Sequence, residues 1–126
     1  MTRHNDIIYL RHMRDHAREA IDLLGPLPRD HFSESRTLQL ALLHLVEIVG
    51  EAATRVSPET RAELALIPWR EIVAMRNRII HGYATVSCTM LWDTVADDLP
   101  VLVNLLDQYL VLGDTPQESA AGPTSP

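Results

Sequence analysis

Arg76, Asn77, His81 and Tyr83 fall in one short stretch, Met75-Arg76-Asn77-Arg78-Ile79-Ile80-His81-Gly82-Tyr83. Histidine takes and gives protons near neutral pH. Arginine offers a planar, permanently charged fork for phosphate oxygens. Together they suffice for RNA cleavage without a metal. The imidazole removes the ribose 2′-hydroxyl proton, that oxygen attacks the adjacent phosphorus, and the guanidinium stabilises the charge on the phosphorane. Asn77 can hold the imidazole or the phosphate.

The element that must position these groups is a helix starting at Pro68-Trp69 and reaching Ile80 or a little beyond, with Gly82 as its end. At about 100° per residue, Trp69, Ile72, Val73, Ile80 and Tyr83 lie within about 60° of one line, and Arg76 falls in their middle. Arg78 points to the opposite side. Asn77 and His81 are four apart and share the flank of the stripe. An arginine buried without a partner is costly, because its charge persists at any physiological pH. Three explanations stand: it snorkels to the surface, pairs with a carboxylate, or borders a cleft or subunit interface that binds an anion. The candidate carboxylates are Glu47 and Glu51, about 40° apart on the preceding long helix. Each also reads as an ordinary exposed charge.

The other elements are helical too. Ile7, Leu10, Met13, Ala17, Ile21 and Leu24 recur at three- and four-residue steps, predicting a first helix from about Asp6, capped by Asn5 or Asp6, to Leu24. Gly25-Pro26 and Pro28 end it. A second helix runs from a Ser33 cap to about Val56. Leu38, Ala41, Leu42, Leu45, Val49 and Ala52 form one face of it, with Leu40 and Leu43 opposite. Two apolar faces predict a central helix, or one that also meets a second subunit. Ser57-Pro58-Glu59 opens a short helix. Ser87 caps a last long helix to about Leu112, in which Pro100 predicts a kink or a split. The expected architecture is all-α, an up-and-down bundle of four to five helices, with residues 1–112 as the domain and 113–126 as a disordered tail rich in Pro, Ser, Gly and Ala.

At 126 residues the chain has a single-domain length. Its net charge of −6 argues against a general nucleic-acid binder, so any RNA contact is expected to be local. Cys88 is the one cysteine; with no apolar leader, it predicts a reducing, cytoplasmic setting. No apolar run approaches the roughly 20 residues needed to cross a bilayer, so no membrane span is expected. His12 and His16 sit four apart, half of a helical zinc site, but no matching pair follows and both read as surface residues. His4, His31 and His44 lack informative context. No metal or cofactor is expected.

The segment Arg76 to His81 fits R-x4-6-H, and with Tyr83 it becomes R-x4-H-x-Y. In this the chain resembles the HEPN superfamily, and within it the HepT group of toxins. The surroundings are similar as well: Leu45-Val46-Glu47-Ile48-Val49-Gly50-Glu51-Ala52, Ile67-Pro68-Trp69 with Ile72, and Trp92 with Asp98-Leu99-Pro100. The likeness runs from about Asp6 to Leu110. Ala84 and Ser87 depart from it, standing where phenylalanine and aspartate are common. The resemblance implies the toxin of a type VII toxin–antitoxin pair, a homodimer that brings two motifs across one cleft. Arg76 and His81 would then be the endoribonuclease pair, with Asn77 supporting. It further implies an MntA-like nucleotidyltransferase partner that moves AMP from ATP onto Tyr83, within a larger hetero-oligomer. If the turn at Gly82 keeps Tyr83 aligned with Arg76, the AMP phosphate falls beside that guanidinium. Two other readings remain open: a non-catalytic helical module that docks a nucleotidyltransferase or a nucleotide, and a tyrosine that merely closes the core.

Overall fold

A computed structural model describes residues 2–121, with side chains described for 5–112. Every element among the described residues is helical: α1 (Thr2–Leu24), α2 (Arg29–Glu34), α3 (Arg36–Thr54), α4 (Pro58–Glu63), α5 (Trp69–Gly82), a 3-10 turn (Tyr83–Thr85), α6 (Cys88–Asp93), a π turn (Thr94–Asp98) and α7 (Leu99–Ala121). The boundary expected at Leu112 falls within α7, and 122–126 lie outside the described residues.

Helix α3 is the centre of the bundle, packed by α1 on one side and α5 on the other, while α7 closes against α1. The predicted stripe of α1 is in place: Leu10, Met13, Ala17 and Leu24 are buried, joined by Ala20. From α3 they meet Leu42, Val46, Val49 and Ala53, and from α7 Leu102, Leu106 and Leu110. The second apolar face of α3 is therefore largely satisfied within the chain, with Leu43 buried and Leu40 exposed. Contrary to the expectation that no apolar run approaches spanning length, α3, alone among the described helices, is long and apolar enough to cross a membrane. Its apolarity is accounted for by packing on both flanks.

Several boundaries differ from expectation for identifiable reasons. Pro28, with φ at −66°, starts helical turns at Arg29, and this short helix buries Phe32. The chain is thus already helical at Ser33, whose hydroxyl donates to Arg29 O. Ser35 caps α3 instead, accepting the Leu38 N–H at 3.2 Å. Gly25, at φ +53°, supplies the left-handed residue after α1. The disruption predicted at Pro100 takes the form of the π turn, where the Leu99 N–H donates to Thr94 O. Widening that turn carries the helix past a residue with no N–H and a ring that crowds the preceding carbonyls.

Neither Asn5 nor Asp6 caps α1, which already begins at Thr2. Asp6 is buried, and its carboxylate accepts the Ser57 N–H at 2.9 Å, the Ser57 hydroxyl at 2.6 Å and the Thr60 hydroxyl at 2.5 Å. It fastens α1 to the start of α4, while Ser57 Oγ in turn accepts the Thr60 N–H at 3.3 Å. At the other end of α1, Arg14 and Arg18 both reach Asp107 of α7.

Replacing a buried acceptor strands its donors. Asp6→Ala is expected to lower unfolding free energy by about 2–4 kcal/mol, read from urea denaturation. A loss below about 0.5 kcal/mol would show that this network carries little of the fold.

Candidate active site

The site begins with a missing side chain. Gly50 lies on α3 where α5 crosses it, and a Cβ built there would stand 2.2 Å from Arg76 Cβ and 2.9 Å from Arg76 Cγ. Only a bare backbone admits the arginine stem at this place. Arg76 therefore lies in the α3–α5 interface, its aliphatic part on Gly50 and its head at the edge.

The head is held on two sides. Arg76 Nη2 donates to Glu51 Oε1 at 2.6 Å, and Nη1 donates to Asn77 Oδ1 at 2.9 Å. Arg55, one turn after Glu51, adds a 3.3 Å contact to Glu51 Oε2. The hydrogen bond from Arg76 holds the Glu51 carboxyl below the usual glutamate range, against the opposing effect of desolvation; both arginines add attraction. Glu51 is thus the carboxylate that meets Arg76, whereas Glu47 lies 4.0 Å from His44 and has no such contact. Of the five N–H groups on the guanidinium, two are engaged and the Nε group is buried without a partner. One N–H on each terminal nitrogen is left for an anion.

The buried stripe of α5 is rotated from the expected one. Trp69 and Ile79 are buried and Ile72, Val73 and Met75 are half-buried, but Ile80 is 46% and Tyr83 47% exposed. The contact at Gly50 sets this rotation, because it seats Arg76, and with it Ile72 and Ile79, against α3. His81 sits in the last turn of α5 with its ring exposed, one turn beyond Asn77 on the same flank. Beside Asn77 an open cleft is lined by Thr54, Arg61, Trp69, Arg70 and Val73. In it Arg61 stacks over the Trp69 ring at 5.4 Å and donates to Ala53 O at 2.7 Å.

Tyr83 does not continue the helix. It opens the 3-10 turn, which Arg78 latches by donating to Thr85 O at 3.0 Å and Thr85 Oγ1 at 3.3 Å. The Tyr83 hydroxyl accepts from Arg36 Nη2 at 3.5 Å. Arg36 and Glu51 stand at opposite ends of α3, about 22 Å apart along its axis. The expected alignment of Tyr83 with Arg76 is therefore lost at Gly82, and the phenol meets a different guanidinium. Sequence reasoning gave no role to Gly50, Arg36 or Arg55. A glycine inside a long apolar helix, within the stretch that resembles the family, is the signal that could have marked Gly50; nothing local marks Arg36.

The remaining candidates lie apart from this cluster. His16 Nδ1 is 2.8 Å from His12 O, within α1. Among the described residues no group of three or more histidine, cysteine or acidic side chains is placed to hold a metal. Cys88 is free and exposed at the start of α6, after the Ser87 cap.

A helical bundle that presents arginine and histidine from one helix, with a carboxylate on the arginine from the long helix packed against it, has the architecture of the HEPN type. Residues 13–109 match the family described as Ribonuclease HepT-like. The chain belongs to that HepT-like ribonuclease family. It is 35% identical over 88 residues to the probable ribonuclease HepT of Thermococcus cleftensis, covering 67% of this chain and 80% of its relative. A candidate RNase of Caldanaerobacter subterraneus is 28% identical over 102 residues, 81% of this chain and 91% of that protein. One from Methanocaldococcus jannaschii is 27% identical over 92 residues, 73% and 84% respectively. No solved structure matches the chain.

Gly50→Ala is expected to force α3 and α5 apart, costing about 1–3 kcal/mol by thermal or urea unfolding. Gly82→Ala, with nothing within 4 Å of its added Cβ, is expected to leave stability within about 0.5 kcal/mol. The Glu51 carboxyl is depressed on folding, so its contribution is full above its ordinary value of 4.5 and is lost as pH falls through the lower folded value. Wild-type stability should accordingly drop more steeply than that of Glu51→Gln as pH falls below 4.5. Parallel pH profiles would remove the ion pair from the account.

Proposed function

We propose that this chain is the toxin of a toxin–antitoxin pair, an endoribonuclease that cuts RNA without a metal through Arg76, His81 and Asn77. The observation that carries the reading is the Arg76 guanidinium, held by Glu51 and Asn77 with N–H groups to spare, on the same helix as the exposed His81 ring, which stands one turn beyond Asn77.

In this reading His81 takes the proton of a ribose 2′-hydroxyl, and the freed oxygen attacks the neighbouring phosphorus. The bond to the 5′-oxygen breaks, leaving a 2′,3′-cyclic phosphate and a 5′-hydroxyl after that oxygen is protonated. Arg76 stabilises the extra charge on the phosphorane; it is pre-positioned by Glu51, so little reorganisation accompanies the reaction. Asn77, bonded to Arg76 through its oxygen, keeps its amide N–H groups for phosphate or imidazole. The cleft with Arg61 and Arg70 beside Asn77 suits the strand continuing from the cut.

A homodimer is part of the proposal. Ile80 on α5 and Tyr83 in the turn after it, like Leu40 on α3, are large side chains left at least 40% exposed, as a surface awaiting a second copy would be. The regulator is an MntA-like nucleotidyltransferase that moves AMP from ATP onto Tyr83, a half-exposed residue outside the core. The net charge of −6 favours the competing reading, a helical module that binds such a transferase and cuts nothing.

His81→Ala and Arg76→Ala are each expected to lower RNA cleavage by about a hundredfold or more while the protein stays folded. Cleavage by the wild type should persist in excess EDTA. Undiminished cutting by the His81 variant would sink the catalytic assignment, and a wild type that cuts no RNA but binds the transferase tightly would favour the docking module.

A further inference from the structure

Most of the arginines around the site are committed. Arg76 and Arg55 serve Glu51, Arg78 holds Thr85, and Arg61 lies on Trp69 and Ala53 O. Arg36 is different. It is the exposed first residue of α3, and its guanidinium donates to the Tyr83 hydroxyl. Among the described residues no carboxylate lies within ion-pair distance of it. Its charge faces a phenol hydroxyl at the surface.

We propose that Arg36 is the phosphate-holding residue for an adenylyl group carried by Tyr83. This rests on the reading of Tyr83 as the acceptor of AMP. In the transfer, Tyr83 Oη attacks the α-phosphorus of ATP supplied by the partner enzyme. The bond from that phosphorus to the bridging oxygen breaks, pyrophosphate leaves, and the phenolic proton passes to solvent. The product is a phosphodiester with one negative charge and two non-bridging oxygens, attached at the very oxygen that Arg36 already touches.

The geometry fits an anion better than a phenol. At 3.5 Å the contact to Tyr83 is long for a neutral hydrogen bond. A guanidinium–phosphate pair closes to about 2.7–2.9 Å and uses two parallel N–H groups. Arg36 also stands in the first turn of a 19-residue helix, where the aligned peptide dipoles favour negative charge. The adenylyl group would be pinned to the start of α3 across the exposed end of α5. It would lie over the surface next to His81 rather than swing free, which is how a modification on an exposed turn could block a strand of RNA.

The test uses full-length wild type, Arg36→Gln and Arg36→Lys, each incubated with the partner nucleotidyltransferase and ATP. AMP uptake is read by intact mass and mapped to Tyr83, and release of AMP by an added phosphodiesterase is then timed. Release from Arg36→Gln is expected to be about tenfold faster than from wild type, with Arg36→Lys between them. A folded Arg36→Gln that takes up no AMP while Arg36→Lys does would also support the inference, since a cation is then required for the transfer. Equal uptake and equal release in wild type and Arg36→Gln would overturn it and leave Tyr83 as the acceptor. Loss of uptake in both variants alike would overturn it as well, because charge would not be what matters. Absence of AMP on Tyr83 of the wild type would remove the reading of Tyr83, and this inference with it.

Discussion

The bare backbone of Gly50 against the stem of Arg76 is the contact from which the rest of the site follows. It lets α5 lie deep on α3, which rotates Ile72 and Ile79 inward and leaves Ile80 and Tyr83 at the surface. It also puts the guanidinium within reach of Glu51, the residue immediately after the glycine. Spacing and charge are thereby coupled: the glycine grants access and the glutamate fixes the head. An arginine so held is pre-organised, because its own desolvation has been offset before any substrate arrives.

That arrangement explains how an acidic protein can act on a polyanion. All eleven basic residues are arginines, yet most are tied into the bundle and spread no positive field. Arg14 and Arg18 bridge α1 to α7, Arg78 latches the turn after α5, and Arg29 lies over Trp92 at 5.5 Å. Among the described residues, Arg76 stands at the α3–α5 edge, Arg61 and Arg70 line the cleft beside Asn77, and Arg36 is exposed at the start of α3. In the proposed reading, phosphate is met by the placement of a few guanidinium groups and not by net charge.

The far side of α5 has the opposite character. An apolar groove runs between α3, α5 and α7, lined by Val46, Val49, Ile72, Met75, Leu102 and Leu105. At its rim the π turn brings Asp93, Asp97 and Asp98 together. Partial desolvation, then repulsion from Asp97 and Asp93, pushes the Asp98 carboxyl above its ordinary range. A carboxyl raised on folding detracts from stability while ionised, and the penalty fades as pH falls through its folded value. The local cost sits where the helix already widens to pass Pro100.

Much of this molecule was legible in its residues. The three- and four-residue apolar steps of α1 and α3 dictated helices, since only that period buries Leu10, Met13 and Ala17 on one line. Gly25-Pro26, Ser57-Pro58 and Ser87 punctuated the chain by backbone chemistry that acts locally. The Arg76-to-Tyr83 spacing pointed to a phosphate-handling chemistry and to the family that the chain matches. Tertiary structure alone decided the rest. Whether Glu47 or Glu51 meets Arg76, why Asp6 is buried against Ser57 and Thr60, and which guanidinium Tyr83 faces all depend on groups 25 to 54 residues apart in the chain. Periodicity assigns a side chain to a face of its own helix. How two helices rotate and slide against each other is set by the volumes that meet between them, and here that volume is the missing side chain of one glycine.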